Sequence, residues 1–189
     1  MATRFSVSEF RANLNRGGAR PTLFEVEISI ASLAGGVFAT SAGALDKLKF
    51  TCQAANLPAS QIGTIEVPFM GRKIRLPGDR IYPDWTVTIM NDEDFSVRDW
   101  MENWSNLINE AELNLRVGPA GNNPASYKCS AYVTQFSKTG EAIRRYRFDG
   151  LYPSEVGAID LSWETTDTIE TFPVTFQYDF WQVEPVILG

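Results

Sequence analysis

Three groups of side chains have the types and spacing for chemistry. Arg72, Lys73, Arg75 and Arg80 crowd together, with Asp79 and Asp84 beside them. Cations this dense could hold phosphate, but no glycine-rich loop leads from them into a helix, so the backbone cradle of a phosphate site is missing. Asp92, Glu93 and Asp94 offer the oxygens a divalent cation takes. They also precede a helical pattern, where negative charge is favourable without a metal. Arg144, Arg145 and Arg147 divide over two faces of one strand pattern, Arg144 sharing its side with Tyr146 and Phe148. An aromatic–basic face could stack single-stranded nucleic acid, but one strand is a small platform. No carboxylate pair stands out for glycoside chemistry.

What the chain lacks narrows this further. Its 189 residues include no histidine, so Ser–His and Cys–His relays and histidine metal sites are excluded. Cys52 and Cys129 have no CxxC spacing for zinc. Both lie in alternating stretches, and free buried thiols are expected rather than a disulfide in a reducing cytosol. The net charge of −6 opposes a nucleic-acid binder, which must displace phosphate counterions with its own cations. It does not oppose a conduit for DNA, whose wall should not attract its cargo. No catalytic residue, cofactor or metal is expected, and the chain reads as no enzyme. The first 20 residues are polar, with four arginines, and do not read as a signal peptide. No stretch approaches the ~18 apolar residues of a membrane helix. The expectation is a soluble protein without a membrane partner.

The elements that must position these groups follow from periodicity. Residues 1–20 read as an arm with a short helix at 8–14 capped by Ser8, followed by one domain over 21–189. Phe24, Val26, Ile28 and Ile30 alternate with Glu25, Glu27 and Ser29, the period of a half-buried strand. Residues 31–46, rich in Ala, Gly, Ser and Thr, read as a loop. Strands are expected at 48–54, 61–67 and 85–90, with a short one at 73–76. Val97, Trp100, Met101, Trp104, Leu107, Ile108 and Ala111 recur at helical spacing, so a helix is expected over 96–111. Ser96 and Asp99 would form its capping box. The stripe of Trp100, Met101 and Trp104 reads as the side facing the core. Further strands are expected at 127–135, 143–149, 159–164 and 171–180, with a break at 150–157. In the strand over 159–164, Ile159, Leu161 and Trp163 would face the core and Asp160, Ser162 and Glu164 would face water. Many short strands and one helix imply a mainly β fold: a β-sandwich or partly closed barrel of two packed antiparallel sheets with one flanking α-helix. A hydrophobic content of 44% permits a sizeable core.

A set of ordered motifs goes beyond fold class. Ala19-Arg20-Pro21, Cys52-Gln53-Ala54-Ala55, Pro68-Phe69-Met70, Gly78-Asp79-Arg80, Asp84-Trp85-Thr86-Val87-Thr88 and Met90-Asn91-Asp92 occur in that order. Gly150-Leu151-Tyr152-Pro153, Val156-Gly157, Glu170-Thr171-Phe172 and Tyr178-Asp179 follow. Together they resemble the major tail tube protein family of contractile-tailed (myovirus-type) bacteriophages. That resemblance implies a structural virion protein assembled in the host bacterial cytoplasm. Six copies would close into a ring, and rings would stack into the tube that conducts DNA and the tape measure protein. The tail sheath would lie outside, with baseplate and tail terminator proteins at the ends. The 31–46 loop would be an insertion relative to the family. Arg72, Lys73, Arg75, Asp79 and Arg80 would fall among subunit and ring-stacking contacts. Asp160, Ser162 and Glu164 would face the lumen. The inner tube of a phage-derived injection device or bacteriocin is the near alternative, and a ligand-binding β-barrel the distant one.

Overall fold

The computed structural model describes residues 6–14, 18–29, 42–116 and 123–185. Their elements run α1 (Val7–Asn13), β1 (Phe24–Ser29), α2 (Ala42–Thr51), β2 (Cys52–Ala55), β3 (Gln61–Phe69), β4 (Arg72–Ile81), β5 (Trp85–Met90), α3 (Ser96–Ile108) and α4 (Pro124–Tyr127). They continue with β6 (Cys129–Phe136), β7 (Ala142–Val156), β8 (Thr171–Gln177) and β9 (Phe180–Glu184). The protein is mainly β, in two sheets. Seven strands form one antiparallel sheet in the order β1-β6-β7-β8-β5-β2, with β9 also on β7, and among the described residues β3 and β4 pair only with each other.

Strand β7 is the reason seven strands can enclose a core. Its first half pairs with β6 and β9, and its second half, from Tyr152, pairs with β8. The turn between the halves falls at Gly150, whose φ of 71° is open to glycine and strained for other residues. A Cβ there would lie 2.0 Å from the Asp179 carboxylate. The register slips between Cys129 and Ala131 and between Pro153 and Glu155, as a bulged corner requires. The expected break at 150–157 is therefore a bend inside a continuous strand.

The inward residues of β1, β5, β6 and β8 alternate with outward ones and join one core cluster. Its centre is aromatic. Trp85 stacks on Phe148 with ring centroids 4.4 Å apart and meets Phe176 at 5.6 Å. Helix α3 closes one side with Val97, Trp100, Met101 and Trp104 buried. The Trp104 indole lies 6.1 Å from the Phe176 ring and donates to the Tyr127 carbonyl at 2.7 Å. Each large side chain so buried contributes about 1.5–3 kcal/mol.

Several expected elements differ. Residues 48–54 are mostly helix, because Ala44, Leu45 and Leu48 recur at helical spacing on the core side and leave Phe50 exposed. The alternation of Leu48, Phe50 and Cys52 imitates a strand, and only Cys52–Ala55 pairs as one. Residues 42–46 open this helix rather than continuing a loop; positions 31–41 lie outside the described residues. Ser6, not Ser8, caps α1, accepting from the Glu9 N–H at 3.1 Å. Helix α3 ends at Ile108 and has no capping box: Phe95 precedes it in the left-handed region, and the Asp94 carboxylate accepts from the Ser96 N–H at 3.2 Å. Residues 124–127 are a helical turn rather than the start of β6. β4 is a full strand of ten residues where a short one was expected. The strand expected at 159–164 does not form; those residues belong to a connection without strand or helix, and Leu161 and Trp163 are exposed. Cys52 and Cys129 are free thiols. Burial pushes Cys52 up to about 12 and Cys129 higher still.

Candidate assembly interface

The hairpin of β3 and β4 contradicts the logic of the rest of the molecule. Its turn is Met70-Gly71, with φ of 44° and 79°. Two successive positive φ values make the turn whose twist suits two paired strands. From it the register runs Phe69↔Arg72, Val67↔Ile74 and Ile65↔Leu76, with Pro68↔Lys73 and Glu66↔Arg75 between. Facing partners share a side of the sheet. One side is therefore Ile65, Val67, Phe69, Ile74 and Leu76, and the other is Glu66, Pro68, Lys73 and Arg75. All five apolar residues are exposed, Ile65 at 54% and Phe69 at 60%. Among the described residues nothing covers that side, and a two-stranded sheet bare on its apolar side is marginal in water, so this hairpin is built to be covered by something.

Its charges are only partly matched within the subunit. Glu66 accepts from Lys73 at 2.7 Å and lies 3.4 Å from the Arg75 guanidinium. Arg72, Asp79 and Arg80 make no ion pair among the described residues. The structure thus brings the expected cluster onto one hairpin, but on different sides: Lys73 and Arg75 opposite the apolar side, Arg72 beside Phe69 at the turn.

A second exposed region lies by the other end of β5. The hairpin runs into β5 at Trp85; β5 ends at Met90, which pairs with Thr171 of β8. Immediately before Thr171 is the connection from β7, residues 157–170. Its ends are tied down, with the Arg98 guanidinium donating to the Gly157 carbonyl at 3.2 Å and the Asn91 amide donating to Glu170 at 3.1 Å. Between these ties Asp160, Leu161, Ser162, Trp163 and Glu164 are exposed, Trp163 at 101%. The carboxylates of Asp92 and Asp94 sit at this end too. Lys47 of α2 bridges them, 2.9 Å from Asp92 and hydrogen-bonded to Asp94, so a cation from the chain itself occupies the place a metal would take. That lysine and the Ser96 N–H hold the Asp94 carboxyl down to about 2.

The exposed hairpin side is legible in the alternation of Ile65, Val67 and Phe69 with its mate in Ile74 and Leu76, a signal separate from the cluster of charges. The Trp163 connection had no such signal, since its alternation imitates a strand.

A filled sandwich with a projecting amphipathic hairpin defines a structural subunit of a larger assembly. The model of the family described as phage tail tube protein matches residues 19–184. The chain is 36% identical over 165 residues to tail tube protein gp19 of Enterobacteria phage T4, covering 87% of this chain and 91% of that one. It is 28% identical over 175 residues to the tail tube protein of Serratia phage KSP90, covering 92% and 94%. In fold it is similar to the sheath/tube terminator of an extracellular contractile injection system, PVC, with a TM-score of 0.61 at 13% identity over 91% of this chain and 100% of that one. It is also similar to the tube-terminating cap of the anti-feeding prophage, with a TM-score of 0.60 at 15% identity over 90% and 93%. The chain belongs to the phage tail tube protein family. It is a structural component of the virion, and its described helices include none long and apolar enough to cross a membrane.

Proposed function

We propose that six copies of this chain close into a ring and that rings stack head to tail into the inner tube of a contractile phage tail. The tube conducts DNA and encloses the tape measure protein; the sheath grips it from outside, and baseplate and tail terminator proteins complete its ends. The observation that carries this reading is the family match across 19–184, which takes in every strand from β1 to β9. The phage assignment rests on the 36% identity to the T4 protein. The likeness to injection-device components, at 13–15% identity, supports the fold and not the cargo. A ligand-binding barrel is disfavoured by the Trp85, Phe148 and Phe176 rings that fill the interior.

The subunit needs no catalytic group for this work. The duplex carries one negative charge per about 1.7 Å of axis, and each cation on the channel wall would be repeated sixfold against it. A net charge of −6 suits passage without sequence-specific binding.

On this reading the hairpin carries assembly rather than folding. Arg72→Glu with Lys73→Glu should leave the monomer melting temperature unchanged and abolish tubes in negative-stain micrographs. Exposed pairs are individually worth about 0–1 kcal/mol, but every subunit repeats the contact. Tubes of normal length from the double variant at physiological salt would remove the hairpin from the interface. Sedimentation showing only monomer for the unaltered chain, even with an initiating baseplate complex, would remove the tube reading altogether.

A further inference from the structure

Helix α1 buries none of its residues. A helix of seven residues is marginal in water by itself, so it gains most from a surface that covers it. Val7, Phe10 and Leu14 are exposed at 70%, 64% and 40%, and their spacing puts them in one stripe along the helix. At 3.6 residues per turn Arg11 falls beside that stripe, one turn on from Val7, and Glu9 falls on the opposite side. The stripe is thus apolar with a cationic border. The 157–170 connection has the inverse composition. Leu161, Trp163 and Ile169 are exposed at 79%, 101% and 70%, among Asp160, Glu164, Asp167 and Glu170 and no cation. A fully exposed tryptophan among carboxylates has the composition of an interface anchor, a large apolar residue with a polar rim. We propose that α1 of one copy lays the Val7, Phe10 and Leu14 stripe on Leu161, Trp163 and Ile169 of a second copy, with Arg11 among the carboxylates of that connection.

The occupant is a second copy because the two surfaces stand apart within one. The segment that leads back to α1 is fastened beside the end of β6: the Gln135 side-chain amide donates to the Arg20 carbonyl at 3.3 Å, and the Phe136 N–H donates to the Leu23 carbonyl at 2.9 Å. Gln135 pairs there with Arg144, at the start of β7. The connection leaves from the other end of β7, after Val156. Arm and connection therefore belong to opposite ends of one strand, and unlike surfaces that match between copies join them head to tail. The first 20 residues carry four arginines against Glu9 alone, so the attraction extends along the arm. The proposal rests on the reading that copies of this chain assemble, and it is independent of the hairpin. With no strand over 159–164, the ground for turning Asp160, Ser162 and Glu164 to the lumen is gone; the carboxylates face a neighbour's arm instead.

Cross-linking decides the point. Asn13→Cys and Thr166→Cys are changes at exposed positions. Copies of the two variants, mixed and assembled, are treated with a short bifunctional thiol reagent; the native thiols add little background, since Cys129 is buried and Cys52 is held protonated at neutral pH. Dimers that form in the mixture and in neither variant alone are the expected result. Arg11→Glu in the Asn13→Cys copy should cut their yield several-fold, whereas Glu9→Gln, on the far side of the helix, should not. Tubes without mixed dimers overturn the seat and leave the tube reading standing; failure of the native chain to assemble at all removes both. A chain carrying both cysteines, kept monomeric by dilution, should show no internal link. An internal link would mean that α1 folds onto its own connection, and it overturns the exchange between copies. Trp163 emission should also move to shorter wavelength on assembly, as a component of the native signal that Trp163→Phe lacks. The absence of that component overturns the seat.

Discussion

Strands β8 and β3 are written in the same alternating code and end in opposite environments. Phe172, Val174 and Phe176 of β8 are fully buried, while Ile65, Val67 and Phe69 of β3 are about half exposed. The difference is cover. β8 lies between β5 and β7 with α3 packed near it, so its inward side chains meet Trp85 and Trp104. β3 pairs with β4, and among the described residues its apolar side stays exposed. Period-two alternation states which side of a strand is apolar; it does not state which molecule will cover it. In a chain whose work is to assemble, apolar sides left bare by the monomer are where its partners go.

The sharpest way to break this comparison is to make one change in both places. Phe176→Ala should cost about 3–5 kcal/mol. For a chain of this length each kcal/mol lowers the melting temperature by roughly 2–4 °C, so the folded monomer should be severely weakened, as read by calorimetry. Phe69→Ala should leave the monomer transition within about 0.5 kcal/mol of native and instead raise the concentration needed for tube formation. A large loss of monomer stability in Phe69→Ala would mean the hairpin packs on its own subunit in solution, and the contrast would collapse.

What the sequence shows and hides follows the same line. Residues 85–90 are legible as a strand because Trp85, Val87 and Ile89 alternate and are all covered within the subunit. The stripe Val97, Trp100, Met101 and Trp104 is legible for the same reason. Leu161 and Trp163 alternate equally well but have no strand to pair with, so the pattern misleads. At 44–48 the helical spacing of Ala44, Leu45 and Leu48 competes with a false period of two, and only the presence of a core on one side decides it. Gly150 reads as a terminator, yet a glycine can also carry a strand through a corner, and nothing local distinguishes the two. Of the candidate interface, the basic cluster was plain from composition. That the hairpin's apolar side stays bare among the described residues is a fact of packing.

Two glycines sharpen the contrast. Gly150 and Gly71 have similar φ values of 71° and 79°, so alanine is strained at both. At Gly150 the added Cβ must also displace Asp179, whose carboxylate accepts from Lys128 at 2.7 and 2.9 Å. At Gly71 it meets nothing within 4 Å. Gly150→Ala should therefore destabilise the monomer by about 1–3 kcal/mol. Gly71→Ala should leave global unfolding unchanged and accelerate amide exchange in β3 and β4 alone. Equal melting temperatures for the two variants would show that the bend in β7 contributes nothing to closure of the core.

The smallest effect tests a charge that belongs to the folded body rather than to assembly. Asp94 is bound by Lys47 across the gap between α2 and the start of α3, and its carboxyl titrates at about 2 against an ordinary value of 3.8. A depressed carboxyl contributes stability above its unfolded value and loses it as pH falls through its folded value. Asp94→Asn should thus be less stable than the native chain at neutral pH, with the gap narrowing below about pH 4 and closing only below about pH 2. Both side chains are exposed to solvent, so salt should shrink the gap as well. Urea titrations of the two proteins across that pH range read the difference directly, and the other carboxylates cancel in the subtraction. By contrast Glu66→Gln, which removes the acceptor shared by Lys73 and Arg75 on the hairpin, should leave monomer unfolding at neutral pH close to native. If Glu66→Gln gives the larger gap, the hairpin's charges are holding the subunit together and the division between body and hairpin is drawn in the wrong place.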